Sequence, residues 1–440
     1  MKMIKSKKII RCLVLLVLTA STGFAQTFDA SSMAMGGAYG AVARGVNALA
    51  WNPANLVFPR VHPVELNLVG FNVAVANSSF SLNNYNRYFT ASGNDSIWDW
   101  KEINQILDLI PDNGLRTSVD ADVNVFGLAF LYYGIHAELI GNSLGVIPKA
   151  PAQLALLGNK EEQYRLDDTD FDSFSAVKIG FSAAHPIPFK KYFDLFSVGL
   201  SFNYFRGITM AEVIRSEGAL YTGRESLDYF FKVRGRMSME SNSTDSSSGI
   251  NINGIGGGKG FGFDLGIAGI RNEKFQFSLV LKNLFANIKW EKNTNAFLFS
   301  SEVDSISLNN MDTLNQVSTD TVYGIGSFTT YLPVIMHLGL AYNIKYNWLV
   351  SMDLEQAFGN NLGYSDQAKL AFGTEYTVAK FLPLRAGVAF GGKLGGYSVG
   401  LGFGFHLYVV DLDFAYAMHN ALWPTYSKGA STAFNLKFLF

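Results

Sequence analysis

Charged residues stand out first because the chain has few of them. Only 16% of its 440 residues are Asp, Glu, Lys or Arg, where about a quarter is usual for a soluble protein. Near the C-terminus they recur at alternating positions: Asp353 and Glu355, Lys369 and Glu375, Arg385, then Asp411 and Asp413. An earlier acid, Asp264, has the same setting among glycines and aromatics. On neighbouring strands such residues share one face, where acidic and basic side chains can pair across the ladder. The chemistry this offers is a structural ion-pair network or a polar solute path. Catalysis is poorly supported. The histidines at 62, 136, 185, 337, 406 and 419 are scattered, and no nucleophile, base and orienting group fall together. No metal-ligand spacing occurs, and the single cysteine, Cys12, lies in the leader described below. The expectation is a non-enzyme with no cofactor and no metal.

The elements that must position these residues follow from a contradiction in the composition. Apolar residues make up 48% of the chain and aromatics 14%, with 36 Phe and 43 Gly. A disordered chain lacks such bulk, and one cysteine cannot build a disulfide scaffold. A net charge of -1 argues against a nucleic-acid partner. A helical membrane protein needs apolar runs of about 18 residues or more, and the only long apolar run is at the extreme N-terminus. That run reads as a signal peptide over 1–25: a basic start (Lys2, Lys5, Lys7, Lys8, Arg11), an apolar stretch from Cys12 to Ala20, and Gly23-Phe24-Ala25 before Gln26. Its removal leaves 30 basic against 36 acidic residues and no cysteine.

Apolar bulk without a helix fits a transmembrane β-barrel, where apolar residues occupy alternate positions of many strands. The alternation is plain. Phe434, Leu436, Phe438 and Phe440 interleave with Asn435, Lys437 and Leu439; Tyr397, Val399, Leu401, Phe403 and Phe405 interleave with Ser398, Gly400, Gly402, Gly404 and His406. Strands are predicted at 64–77, 120–132, 134–143, 172–184, 194–207, 260–270, 274–287, 333–343, 346–358, 367–378, 383–393, 396–406, 408–418 and 431–440. That is about fourteen, with sixteen open because 208–259 has room for another hairpin. Alternate connections are short, and the others mostly long, the asymmetry of a bacterial barrel with periplasmic turns and extracellular loops. The fold class is therefore all-β: an antiparallel barrel over 63–440 in the bacterial outer membrane, surrounded by lipid, with a C-terminal Phe440 strand for the membrane-insertion machinery to engage.

The segment 26–62 is different. It is rich in small residues, with Gly36-Gly37 permitting a tight turn, a short helix expected within Ala38 to Ala50, and Asn52-Pro53 to stop it. Such a segment can plug a lumen against a glycine wall such as Gly400, Gly402 and Gly404. A single Asn52-Pro53-Ala54 without a membrane half-helix is not a water-channel motif; Asn52 capping a turn that Pro53 fixes explains it. A loop helix is also expected, capped at Ser96-Ile97-Trp98-Asp99, with Ile103, Ile106, Leu107 and Ile110 on one face. With Trp98 they would wall a hydrophobic groove, form a lid on the rim, or offer a docking face to a partner protein. Pro148 to Leu157 is expected to form a partner helix. Ser241 to Ser248 reads as a solvated loop.

The Gly-Gly-Ala stretch followed by Trp51-Asn52-Pro53-Ala54-Asn55-Leu56 resembles the N-terminal hatch of FadL-like outer-membrane proteins. These include fatty-acid and aromatic-hydrocarbon transporters and the PorV proteins of type IX secretion. Gly260-Phe261-Gly262-Phe263-Asp264-Leu265-Gly266 and Leu281-Lys282-Asn283-Leu284 resemble the PorV-like branch. With Ile110 to Leu115 and Leu156 to Asn159, the chain looks closest to a FadL/PorV-like family of Bacteroidetes-type bacteria. The resemblance implies a fourteen-stranded barrel with helical extracellular loops and a lumenal hatch in which Gly36, Gly37, Trp51, Asn52, Pro53, Ala54 and Asn55 gate. It leaves two functions: passive uptake of a hydrophobic small molecule, or a PorV-like shuttle for secreted proteins.

Overall fold

The computed structural model describes residues 29–90, 98–157, 163–165, 167–224, 231–243, 257–303 and 316–440. The signal-peptide reading, Ser96-Ile97, Gly158-Asn159 and residues 244–248 of the serine-rich stretch lie outside them.

The chain forms a closed antiparallel barrel of fourteen wall strands. In order these are β1 (Val64–Asn77), β2 (Leu115–Phe130), β3 (Tyr133–Ile147), then past a short β4 (Gln163–Arg165) β5 (Asp170–Ile187) and β6 (Leu195–Arg224). After β7 (Phe231–Ser243) come β8 (Gly258–Arg271) and β9 (Phe275–Trp290). After β10 (Asn295–Val303), β11 (Gln316–Gly324) and β12 (Phe328–Tyr331) come β13 (Ile335–Lys345), β14 (Trp348–Ala357), β15 (Lys369–Val378) and β16 (Leu382–Gly391). β17 (Tyr397–His406), β18 (Val410–His419) and β19 (Gly429–Leu439) complete the wall. β1 pairs with both β2 and β19, Phe71 facing Phe434 in the latter register, so no edge strand remains. Closure pairs each wall strand on both sides, the condition for crossing lipid with strands.

All fourteen predicted strands are present. The sixteen-strand alternative is not: β6 runs on past the wall, and its far half pairs with β7, which pairs with β10, which pairs with β11. This blade adds strands beyond the barrel rather than to its circumference. Ser241–Ser243, expected in a loop, end β7.

Alternation sorts the side chains. Phe181, Leu200, Phe202, Leu384, Leu401 and Phe403 are all more than 40% exposed on the outer face, an apolar surface that only lipid can cover. Their neighbours Ser182, Ser201, Asn203, Arg385 and Asp413 are buried inside.

Residues 29–58 run through the interior. They form α1 (Ala30–Ala34), a 3-10 turn at Gly45–Asn47, α2 (Ala48–Trp51) and a 3-10 turn at Pro53–Val57. The helix expected from Ala38 is thus confined to Ala48–Trp51. Two causes are visible. Gly45 takes a left-handed φ of 54°, and the Arg44 guanidinium donates to the Ala41, Val42 and Ala43 carbonyls, which a helix would have used itself. The stop at Asn52 is as expected: its backbone is extended (φ -145°, ψ 113°) and Pro53 opens the next turn.

At the end with the long connections, α3 (Leu82–Phe89), α4 (Trp100–Asp108) and α5 (Ala150–Leu157) pack together. The cap of α4 lies three residues later than expected. Asp99 accepts from the Glu102 amide at 2.7 Å, and Glu102 accepts from the Asp99 amide at 3.1 Å. This reciprocal pair, with the longer Glu reaching back to the cap, is the stronger arrangement.

Candidate functional site: a packed lumen

The N-terminal segment is held to the wall at both of its ends and in its middle. Asn435 Oδ1 accepts from the Ala30 amide at 2.7 Å. Gly36 and Gly37 take left-handed φ values of 67° and 93°, which turn the chain against β16. A Cβ at Gly36 would lie 2.9 Å from the Val388 nitrogen, so only glycine fits. Ser351 donates to the Ala38 carbonyl at 2.6 Å, and Asp353 accepts from the Gly40 amide at 2.7 Å. Two of the three proposed wall glycines meet the segment: a side chain at Gly400 would strike the Met33 carbonyl, and one at Gly402 the Ala34 side chain. Gly404 instead faces Asp413.

Asn52 joins the segment to the wall through both ends of its side-chain amide. Its Oδ1 accepts from the Ala54 amide at 2.9 Å, the capping role expected. Its Nδ2 donates to Ser278 Oγ at 2.7 Å and to the carbonyls of Ile267 and Leu279. Ser197 donates to the Ala54 carbonyl at 2.8 Å, and Asn55 donates to the carbonyls of Gly40 and Ala43. Pro53 and Ala54 lie against Gly199 of β6. The Trp51 ring meets Tyr39 and His337 edge-on at 5.8 and 5.5 Å. Lys282 donates to the Ala50 carbonyl at 2.8 Å. Arg44 also donates to Gln276 and lies 4.4 Å from the Phe58 ring centre.

The charged residues form networks, as their spacing predicts. Arg385 bridges Glu375 at 2.5 Å and Asp413 at 2.6 Å. Lys437 adds Asp413 at 3.5 Å and Asp411 at 3.9 Å. Lys369 pairs with Glu355 at 3.4 Å. Asp264 accepts from Asn203 Nδ2 and from the Asn283 amide, both at 2.9 Å. A second network was missed: Glu138 pairs with Lys178 at 2.7 Å, with His136 at 3.8 Å, all fully inside. Its signal was available, since His136 and Glu138 alternate with Ile135, Ala137 and Leu139 on β3.

The Leu281-Lys282-Asn283-Leu284 stretch breaks the wall. Asn283 and Phe285 take left-handed φ values of 60° and 56°. The β9–β13 ladder ends at Lys282 opposite Ile335, and pairing resumes with β12 at Asn287. Asp264, in the motif on β8, steadies this bulge through the Asn283 amide.

The lumen above the segment divides in two. One side is apolar: Phe174, Phe205, Met210, Ile288 and Trp290 pack into one cluster closed by Leu362 and Tyr364 from the β14–β15 connection. The other holds a cavity of about 140 Å³ whose lining includes Asp120, Glu355, Lys369, Lys393 and His419 together with Met33 and Gly36. The proposed groove residues are elsewhere. Trp98, Ile103, Ile106 and Leu107 are buried against Tyr88, Phe89 and Leu156, and form the core of the loop helices. Ile110 is buried beside them.

A family profile described as "Family of unknown function (DUF5723)" matches residues 53–413. The chain belongs to that family. This DUF5723 chain matches no protein in a comparison with curated sequences. Among solved structures, it is similar to the monoaromatic hydrocarbon channel TodX in a deltaS2S3 mutant. The identity is 15%, coverage 93% of this chain and 97% of that one, and the TM-score 0.52. It is equally similar to the Ralstonia pickettii toluene transporter TbuX, at 15% identity, 94% and 99% coverage and a TM-score of 0.52. A Pseudomonas aeruginosa FadL homologue matches at 11% identity, 95% and 99% coverage and a TM-score of 0.49. At such identities the shared property is the fold, a closed β-barrel over essentially the whole DUF5723 chain.

Proposed function

We propose that the protein is an outer-membrane channel for hydrophobic small molecules, exported by its 1–25 signal peptide, with 26–62 as a hatch and 63–440 as the barrel. The short turns face the periplasm and the long loops the outside. The observation that carries this reading is the apolar cluster of Phe174, Phe205, Met210, Ile288 and Trp290 inside the barrel. A conduit for ions or sugars has no use for such a lining, whereas an apolar solute gains by leaving water on it. The fold shared with a toluene transporter points the same way.

Passage through this state needs two movements. The helices α3 to α5 must part to expose Trp98, Ile103, Ile106, Leu107 and Ile110 as a capture groove. The hatch must then release the lumen, and Gly36, Gly37 and Trp51 to Asn55 are its gating contacts. The bulge in β9 is the place for a sideways exit, because the β9–β13 ladder stops at Lys282 and the gap before β12 is crossed by bonds from the Leu332 amide to the Ala286 carbonyl and from Asn283 Nδ2 to the Pro333 carbonyl. Toluene uptake by cells depleted of their own channels tests the reading. Expression of this protein should speed uptake, and Trp290→Glu should remove the gain while the barrel still assembles. Uptake equal to that of the empty vector ends the proposal.

A further inference from the structure

Strands β5, β6, β8, β9, β13, β14, β15 and β16 follow one another around the wall, each paired with the next. Four short connections join them two by two at the end opposite the loop helices. In or beside each of these stands a lysine directly followed by an aromatic ring: Lys191-Tyr192, Lys274-Phe275, Lys345-Tyr346 and Lys380-Phe381. Lys190 and Arg271 add two more cations, while the only acids in these connections are Asp194 and Glu273. All six basic residues are exposed. Among the described residues none of the six stands in an ion pair, and Lys191 lies over its own Tyr192 ring at 5.2 Å.

The connections are tied to their neighbours. Asp194 Oδ2 accepts from the Glu273 amide at 3.2 Å. The Asn343 amide donates to the Lys274 carbonyl at 2.9 Å, and the Thr377 amide to the Asn347 carbonyl at 2.8 Å. The cations are therefore held along one rim. Strand spacing sets neighbouring connections roughly 10 Å apart, so each lysine can meet an anion of its own. The other connections at this end differ. Residues 131–132 and 407–409 include Tyr132 and Tyr408 but no charge. Rings continue around the rim, whereas the cations gather on one arc.

The arc borders the lipid-facing wall. Phe193, Phe196 and Phe277 lie 5.1 to 6.1 Å from one another beside Lys190 and Lys191. Trp348 and Tyr376, 39% and 45% exposed, meet at 6.4 Å beside Lys345. Tyrosine and tryptophan settle at headgroup height, lysine reaches from an apolar surface toward phosphate, and clustered basic residues are drawn to anionic lipid. A soluble anion would gain the charge alone. A lipid also lays its acyl chains on the rings below.

We propose that this arc binds the headgroups of an anionic glycerophospholipid, giving the barrel a selective lipid shell on one side of its short-turn rim. The proposal rests on the barrel lying in the outer membrane with its short turns toward the periplasm, and not on what the lumen carries.

The test uses the chain folded in neutral detergent and incubated with equal amounts of phosphatidylglycerol and phosphatidylcholine. Native mass spectrometry then counts the lipids each barrel retains. Phosphatidylglycerol should be retained in preference. Lys191→Gln, Lys274→Gln, Lys345→Gln and Lys380→Gln together should weaken its retention at least about tenfold and leave phosphatidylcholine unchanged. Lys101→Gln, on the loop helices at the opposite end, should change neither. Excess inorganic phosphate should not displace the lipid. Heat-modifiable migration checks folding; should the fourfold variant fail to fold, Lys345→Gln with Lys380→Gln decides. Equal retention of the two lipids, retention unchanged in the variant, or displacement by phosphate would overturn the assignment.

Discussion

Arg385 and Asn52 show what single residues contribute inside a barrel. Arg385 is almost completely buried between Glu375 and Asp413, so its charge is compensated twice. Arg385→Met removes the partner of both acids and leaves Asp413 with Lys437 and His406 alone. Breaking a buried pair from one side costs about 3–5 kcal/mol. Urea titration of the folded gel band should therefore show a clearly lower midpoint, and a double change of Arg385→Met with Asp413→Leu should recover part of it. Asn52 works by hydrogen bonds rather than charge. Asn52→Ala deletes a turn cap and three bonds to the wall, leaving buried carbonyls without a donor, at about 1–3 kcal/mol. The loss falls on the docking of the segment. It should appear as more frequent conductance openings in a planar bilayer, with barrel melting nearly unchanged. The Asn52 cap was legible in the sequence, because Asn before Pro has a local role. Its wall partners Ser278, Ile267 and Leu279 were not, being more than two hundred residues away.

At the scale of elements, the close approach of α1 to β16 and β17 rests on the absence of side chains. Gly400→Leu would put a side chain where the Met33 carbonyl lies. The wall strand can accept it, since the new side chain points into the lumen, but α1 cannot stay. The expected result is a folded barrel whose N-terminal segment is cleaved rapidly by added protease; equal resistance to the wild type would refute the packing described. The loop helices behave as a small core of their own. Ile106→Asp places a charge among Tyr88, Phe89 and Leu156, where it has no partner. Proteolysis should then begin between α3 and α4 while the wall strands persist. Periodicity exposed the apolar face of α4 but not what covers it: the same Ile103 and Ile106 suit an open groove or a buried core, and the packing of α3 and α5 decided for the core.

The whole molecule is governed by its solvent. Leu401 is 50% exposed on the outer face, a position tolerable only against hydrocarbon. Leu401→Arg should cost about 2–4 kcal/mol near the membrane mid-plane, measured by folding titration into lipid vesicles, and far less in a detergent micelle that can rearrange around the charge. All fourteen strands, the unequal connections and the inward placement of the charged residues were legible from alternation and composition, because a barrel wall in lipid makes each position answer to one face or the other. That constraint acts residue by residue, so it is written along the chain. The route of the N-terminal segment, the bulge at Asn283 and Phe285, and the packing of Phe174, Phe205 and Trp290 into one cluster inside the barrel were decided only by the closed barrel. Those contacts join residues far apart in the chain, and nothing in local periodicity records which distant strand curvature brings opposite.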